Sequence, residues 1–140
     1  MDNSVTARSG LEQVRAALDA LNEQGDAIAS CLPQVLEEGF SARNADEHKT
    51  IVEWNSTAKE FLAPNSRVAE EAMRIQTALF ATGMGRAAGV SDIQIAATAL
   101  AYSGDTQTVT VVHYDHDFDL IAQVVPELHT RWIVSRGSAG

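Results

Sequence analysis

The stretch Thr108-Val109-Thr110-Val111-Val112-His113-Tyr114-Asp115-His116-Asp117-Phe118-Asp119 joins the clearest strand signal in the chain to an alternating run of acids. Thr108 to His113 is rich in Val and Thr, β-branched residues that suit a pleated, half-buried surface. The acids begin where that strand stops. From about Phe118 to Val125 the pattern turns helical, Pro126 closes it, and Trp132-Ile133-Val134 reads as a further strand.

Upstream, a helix is expected to start at Ser91 or Asp92 and to close at Gly104 in the usual C-terminal glycine position, after a loop carrying Gly83, Gly85 and Gly89. Before the loop, Val68, Ala72, Ile75, Leu79 and Phe80 form one stripe of a helix that Asn65 or Ser66 can cap. Asp46 to Phe61 is a further helical stretch, with Ile51, Trp54, Ala58 and Phe61 on one side and Glu47, Lys49, Glu53 and Lys59 expected to face solvent. Phe61 to Ala63 makes a short extended piece that Pro64 ends. Pro33 opens a helix in the favoured first turn, carrying Val35, Leu36 and Phe40, and Ala27 to Cys31 before it reads as a buried strand. Leu11, Val14, Leu18 and Leu21 mark the first helix, which ends near Gly25. Helices and buried strands therefore alternate. The expected fold is α/β, a three-layer α/β/α sandwich around a central, mostly parallel sheet. No linker, repeat or low-complexity block interrupts residues 1–140, which read as one domain.

Composition narrows the classes. The 140 residues carry 10 Lys and Arg against 19 Asp and Glu, a net charge of −9, with 45% hydrophobic content. A chain of that size buries enough surface for a core without staples. Cys31 is the one cysteine, so no intrachain disulfide forms. No apolar run of about 18 residues occurs, so no membrane span is expected. Met1-Asp2-Asn3-Ser4 is acidic and polar, the reverse of a secretion signal, and a cytoplasmic location is expected. The charge also argues against coating of RNA or DNA, which needs Lys and Arg to neutralise phosphates.

In a parallel α/β sheet ligands bind beyond the carboxyl ends of the strands. Acids lie at such places in four parts of the chain: Asp2 before the first helix; Glu37 and Glu38 on the Pro33 helix; Asp92 in a first turn; and Asp115, Asp117 and Asp119 after the best strand. Glu37 follows two apolar residues and is expected to lean toward the sheet. Taken singly, Asp92 is a helix cap, Glu37 a solvated acid and Asp115 a turn residue. Together they are carboxylates with no lysine among them. Such a cluster repels and raises its own pKa values unless a cation neutralises it, which points to a hard divalent ion, Mg²⁺ or Mn²⁺.

Other motifs fail. The Asp115 run matches three positions of a calcium loop, but Leu120 stands where glycine is needed and Pro126 where glutamate is. Gly83, Gly85 and Gly89 miss the dinucleotide spacing, so no nucleotide cofactor is implied. His113 and His116 have only Cys31 to complete a zinc set. A receiver-type phosphorylation site needs a pocket lysine, and Lys49 and Lys59 are expected on an exposed helix face.

Asp2-x-Ser4, the helix Pro33-Gln-Val-Leu-Glu37-Glu-Gly-Phe-Ser-Ala-Arg43-Asn44, the run Val90-Ser-Asp92-Ile-Gln-Ile-Ala-Ala-Thr-Ala99 and the run His113-Tyr-Asp115-His-Asp117-Phe-Asp-Leu-Ile-Ala122 occur in an order that resembles a PIN domain, and within that family the VapC-type ribonuclease toxins of bacterial type II toxin–antitoxin pairs. The resemblance covers nearly the whole chain, with Asp46 to Gly89 similar only in helical character. It implies a Mg²⁺- or Mn²⁺-dependent endoribonuclease, blocked by a cognate antitoxin protein and commonly a homodimer. By position, Asp2, Glu37, Asp92 and Asp115 correspond to the metal-binding acids, Asp117 to an additional catalytic acid, and Ser4 to the hydroxyl after the first acid; Glu38 is the reserve for Glu37. Arg8, Arg43 and Arg86 are candidates to hold RNA phosphates. In the family a hydrophobic strand precedes the first acid, whereas only Met1 precedes Asp2 here, so the first strand is expected to be truncated. The alternative is a catalytically weak PIN-like binding module that acts only within a protein complex.

Overall fold

A computed structural model describes residues 1–138; the last two residues of the expected domain lie outside that description. Among the described residues the elements run α1 (Asn3–Thr6), α2 (Glu12–Glu23), β1 (Ala29–Cys31), α3 (Leu32–Phe40), α4 (Ala45–Ala58), β2 (Glu60–Leu62), α5 (Ser66–Ala81), α6 (Val90–Tyr102), β3 (Thr110–His113), α7 (Asp117–Val124) and β4 (His129–Trp132). None of these helices is long and apolar enough to cross a membrane.

The alternation gives parallel pairing, because helical crossovers return each strand in the same direction. β1 pairs with β2, Ser30 opposite Phe61, and β3 pairs with β4, Val111 opposite Thr130 and His113 opposite Trp132. The strands thus form two parallel pairs, β1-β2 and β3-β4. The start of the chain lies beside β3, with Asp2 N donating to Val112 O at 2.8 Å.

Successive residues of β3 point to opposite faces, and each face has its own core. Val111 joins Ile75 and Leu79 of α5, Ile95 and Ala96 of α6, and Phe118 and Ile121 of α7. Val112 is packed against a second cluster built on Val5, Val14 and Ile133, with Leu18 and Leu21 of α2. Helices therefore cover β3 on both faces, as a three-layer α/β fold requires. α6 is the central helix, with Ile93, Ile95, Ala96, Ala97, Ala99 and Leu100 all buried.

Local chemistry sets the boundaries. Asn65 caps α5 by accepting from Val68 N at 2.9 Å, and Asn44 does the same for α4 through Glu47 N. Gly83 ends the α5 region at φ +77°, a left-handed conformation that costs glycine little.

Two expectations about faces are corrected. α4 does not bury Trp54, Ala58 and Phe61: Trp54 is 56% exposed, and the buried residues on that side are Asn55 and Lys59. The helix stops at Ala58 and Lys59 is extended, which turns its side chain inward. Lys59 Nζ donates to Asn55 Oδ1 at 3.0 Å and lies 3.6 Å from Glu38 Oε2. α3 likewise leaves Leu36 and Phe40 exposed, because its inner face is occupied by the polar Gln34 and Glu38.

Candidate metal centre

Strand β3 and the first turns of α6 and α7 bring the acids together. α6 begins after Gly89 with no side-chain cap, so Asp92, in the first turn, is not spent on its own helix. Beyond β3, three bonds fix the loop: Tyr114 N donates to Ser4 Oγ at 2.7 Å, Asp115 N to His113 Nδ1 at 3.2 Å, and Asp117 N to Asp115 Oδ1 at 3.0 Å. The last is an Asx turn, so the modest reading of Asp115 holds alongside any functional one. Trp132 Nε1 donates to Asp119 at 3.1 Å and ties β4 to the start of α7. His113 is fully buried between the rings of Phe118 and Trp132, and His116 lies 3.2 Å from Asp119, so both histidines sit on the Asp119 side of the loop.

Asp92, Asp115 and Asp117 each offer a carboxylate oxygen, and the three oxygens lie within 4.8 Å of one another. All three residues are half-buried. Burial first, then the charges of Asp2, Asp115, Asp117 and Glu37, push the Asp92 carboxyl up to about 7. Asp117 is also raised, chiefly by burial and by Asp115, while a hydrogen bond with Asp92 pulls the other way. Oxygen donors at this spacing, mutually repelling and short of a counter-charge, fit a hard divalent cation.

Asp2 and Glu37 flank this trio. Asp2 is 4% exposed and accepts from Ser4 N at 2.9 Å, capping α1. Glu37 is exposed at the rim instead of leaning inward as expected; Glu38 is the inner residue, engaged with Gln34, Asn55 and Lys59. Helical geometry gives the reason, since adjacent residues on α3 lie on different faces. The structure thus separates the two glutamates, and the charge felt at Asp92 is that of Glu37. Lys59, expected on an exposed face, is buried, but its ammonium is held by Glu38 and Asn55, so a receiver-type pocket still has no support.

The arginines differ. Arg8 donates to Ser4 O at 2.9 Å and its guanidinium sits 4.5 Å from the centre of the Tyr114 ring, next to the acidic loop. Arg86 is exposed in the loop before α6. Arg43 is engaged by Glu47 through Nε at 2.9 Å and through its terminal amine, at the start of α4.

The sequence reading missed Asn3. Its Nδ2 donates to Glu37 Oε2 at 3.0 Å and to Gln34 O at 3.1 Å, linking α1 to α3. The only signal for it was its place between Asp2 and Ser4, two residues that were already singled out.

A layered α/β fold with parallel strands and acids gathered beyond β3 defines a PIN-like protein. No protein-family model matches the sequence. Ribonuclease VapC21 of Mycobacterium tuberculosis is 34% identical over 139 residues, covering 99% of this chain and 96% of its own length. Ribonuclease VapC51 of the same species is 35% identical over 138 residues, covering 99% of this chain and 94% of its own length. The chain belongs to the VapC ribonuclease family.

Proposed function

We propose that the protein is a metal-dependent endoribonuclease, the toxin of a toxin–antitoxin pair, with Mg²⁺ or Mn²⁺ held by Asp2, Glu37, Asp92 and Asp115. The convergence of Asp92, Asp115 and Asp117 oxygens within 4.8 Å is the observation that carries this reading. A divalent ion there would acidify a water, aim it at a phosphodiester phosphorus and offset charge on the leaving oxygen. Attack by water needs no 2′-hydroxyl and forms no 2′,3′-cyclic phosphate; with the 3′-oxygen as the leaving group, the products are a 5′-phosphate and a 3′-hydroxyl.

The protein's own residues supply the rest. Asp117, whose carboxyl is raised above its ordinary value, takes the water's proton. Ser4 Oγ already accepts from Tyr114 N, which leaves its O–H to donate to an RNA oxygen. Arg8 beside Tyr114 and exposed Arg86 meet the phosphates next to the scissile bond. Arg43 joins them only by exchanging Glu47 for a phosphate. The exposed apolar residues Leu36 and Phe40 on α3 and Val52 and Trp54 on α4, with Phe40 93% exposed, offer a face for the antitoxin or a second copy.

The test is cleavage of RNA with Mg²⁺, against EDTA and against Asp92→Asn. Cleavage by the wild-type chain that both controls abolish supports the enzyme. Cleavage that persists in Asp92→Asn points to a contaminating nuclease and sinks the reading. A chain that Mg²⁺ stabilises against heat without any cleavage is the binding module instead.

A further inference from the structure

His113 ends β3 and is fully buried, with the ring centroids of Phe118 and Trp132 at 5.1 and 5.0 Å from its own. An apolar side chain of similar size would fill such a place with no polar atom to desolvate. The imidazole brings two nitrogens, and Nε2 is buried with no hydrogen-bond partner among the described residues. It lies 4.0 Å from Asp119 Oδ1, beyond hydrogen-bond reach. A buried polar atom left in that state carries a cost. The other nitrogen is where the imidazole differs usefully from a leucine.

Nδ1 accepts from Asp115 N at 3.2 Å. Asp115 stands two residues past His113, so the bond closes the turn by which the chain leaves β3, as an asparagine oxygen does in an Asx turn. Asp115 Oδ1 accepts in its turn from Asp117 N at 3.0 Å. The imidazole thus anchors the backbone of one acid of the trio, and that acid anchors the backbone of the next. Acceptance at Nδ1 requires the ring proton to sit on Nε2. Asp119, itself held by Trp132 Nε1 at 3.1 Å, places a carboxylate on the Nε2 side and favours that tautomer.

We propose that His113 is a positioning residue of the ion site: its Nδ1 lone pair, presented by the Nε2–H tautomer, sets the Asp115 backbone and through it the spacing of the Asp115 and Asp117 carboxylates. The inference rests on the nuclease reading, in which Asp115 is a ligand of the ion. Oxygens of Asp92, Asp115 and Asp117 lie within 4.8 Å of one another, and like charges at that range push apart. A turn pinned from inside the core resists that push. His113 thereby holds two of the acids ready for a cation while touching neither the ion nor RNA.

The test takes Mn²⁺ as the probe and reads its binding by electron paramagnetic resonance without RNA, beside Tm and RNA cleavage, for the wild-type chain, His113→Leu and His113→Asn. Leucine fills the place but offers no acceptor, whereas asparagine offers Oδ1 to Asp115 N and leaves part of the space empty. His113→Leu should therefore keep its Tm and bind Mn²⁺ about 10–100-fold more weakly, while His113→Asn lowers Tm and binds Mn²⁺ nearly as the wild type does. Nitrogen NMR of the wild-type ring should find the proton on Nε2. Mn²⁺ affinity that follows Tm across the variants, or that is unchanged in His113→Leu, makes His113 a core residue only and overturns the proposal. A proton on Nδ1 overturns it too, and that measurement needs no variant to fold. A wild-type chain that neither binds Mn²⁺ nor cleaves RNA is a different failure, which sinks the nuclease reading and this inference with it.

Discussion

Asn3 and Glu37, thirty-four positions apart, are joined by a hydrogen bond of 3.0 Å from the Asn3 amide to the Glu37 carboxylate. The bond ties an exposed glutamate of α3, whose charge is among those that raise Asp92, to the start of α1. With Glu37 as a ligand of the proposed ion, Asn3→Ala should raise the Mg²⁺ concentration for half-maximal RNA cleavage about 10–100-fold, the usual cost of losing a partner that orients such a ligand. A Mg²⁺ titration of cleavage checks this, with Tm nearly unchanged because the group removed is only half-buried.

The ion pair of Lys59 and Glu38 has side chains 2% and 13% exposed, so water screens it little. Lys59→Ala leaves Glu38 buried without its counter-charge and should cost about 3–5 kcal/mol. The double variant with Glu38→Leu should recover part of that loss. Urea denaturation of the four proteins of the cycle measures both effects.

Without metal, stability should fall as pH rises from about 4 to 7. In the folded protein Asp92 keeps its proton up to about 7, whereas in the unfolded chain it loses it near the ordinary aspartate value. The unfolded state therefore binds fewer protons in that window, and stability declines with pH until both states are ionised. Tm measured in EDTA across pH 4–8 checks the slope, and Asp92→Asn should flatten it. Added Mg²⁺ should raise Tm more at pH 7.5 than at pH 5, because the ion competes with the proton.

Ile75 is fully buried in the core that carries β3 and α7. Ile75→Ala should cost about 2–5 kcal/mol from lost burial and the cavity it leaves. Since Ile75 belongs to the apolar core and not to the acid cluster, the Mg²⁺ concentration for half-maximal cleavage should stay unchanged at temperatures where the variant is folded. A shift in that value would mean that packing beneath α6 positions Asp92.

Much of the fold was legible as punctuation and period. The Asn65 cap, the Pro33 start and the Val and Thr run before His113 are local signals, and each lies within a few residues of the boundary it predicts. The α4 face was not legible, because Trp54, Ala58 and Phe61 have the right spacing for a buried stripe but the side of α4 that packs inward meets polar groups of α3. It lies against α3, whose inner side presents Gln34 and Glu38, and so buries Asn55 and Lys59. Hydrophobicity ranks residues by their wish to be buried, whereas the partner surface decides which of them are.

The sequence by itself determined the α/β alternation, the parallel direction of the strands and the position of an acid after each relevant turn, because those depend on steric and solvation preferences acting over a few residues. Only the tertiary structure decided which acids meet. Asp92, Asp115 and Asp117 come within 4.8 Å, Glu37 stays exposed at the rim while Glu38 turns to Lys59, and Asn3 links α1 to α3. These choices rest on distances between groups far apart in the chain, and the electrostatics that raise Asp92 to about 7 exist only once folding has removed water from between them.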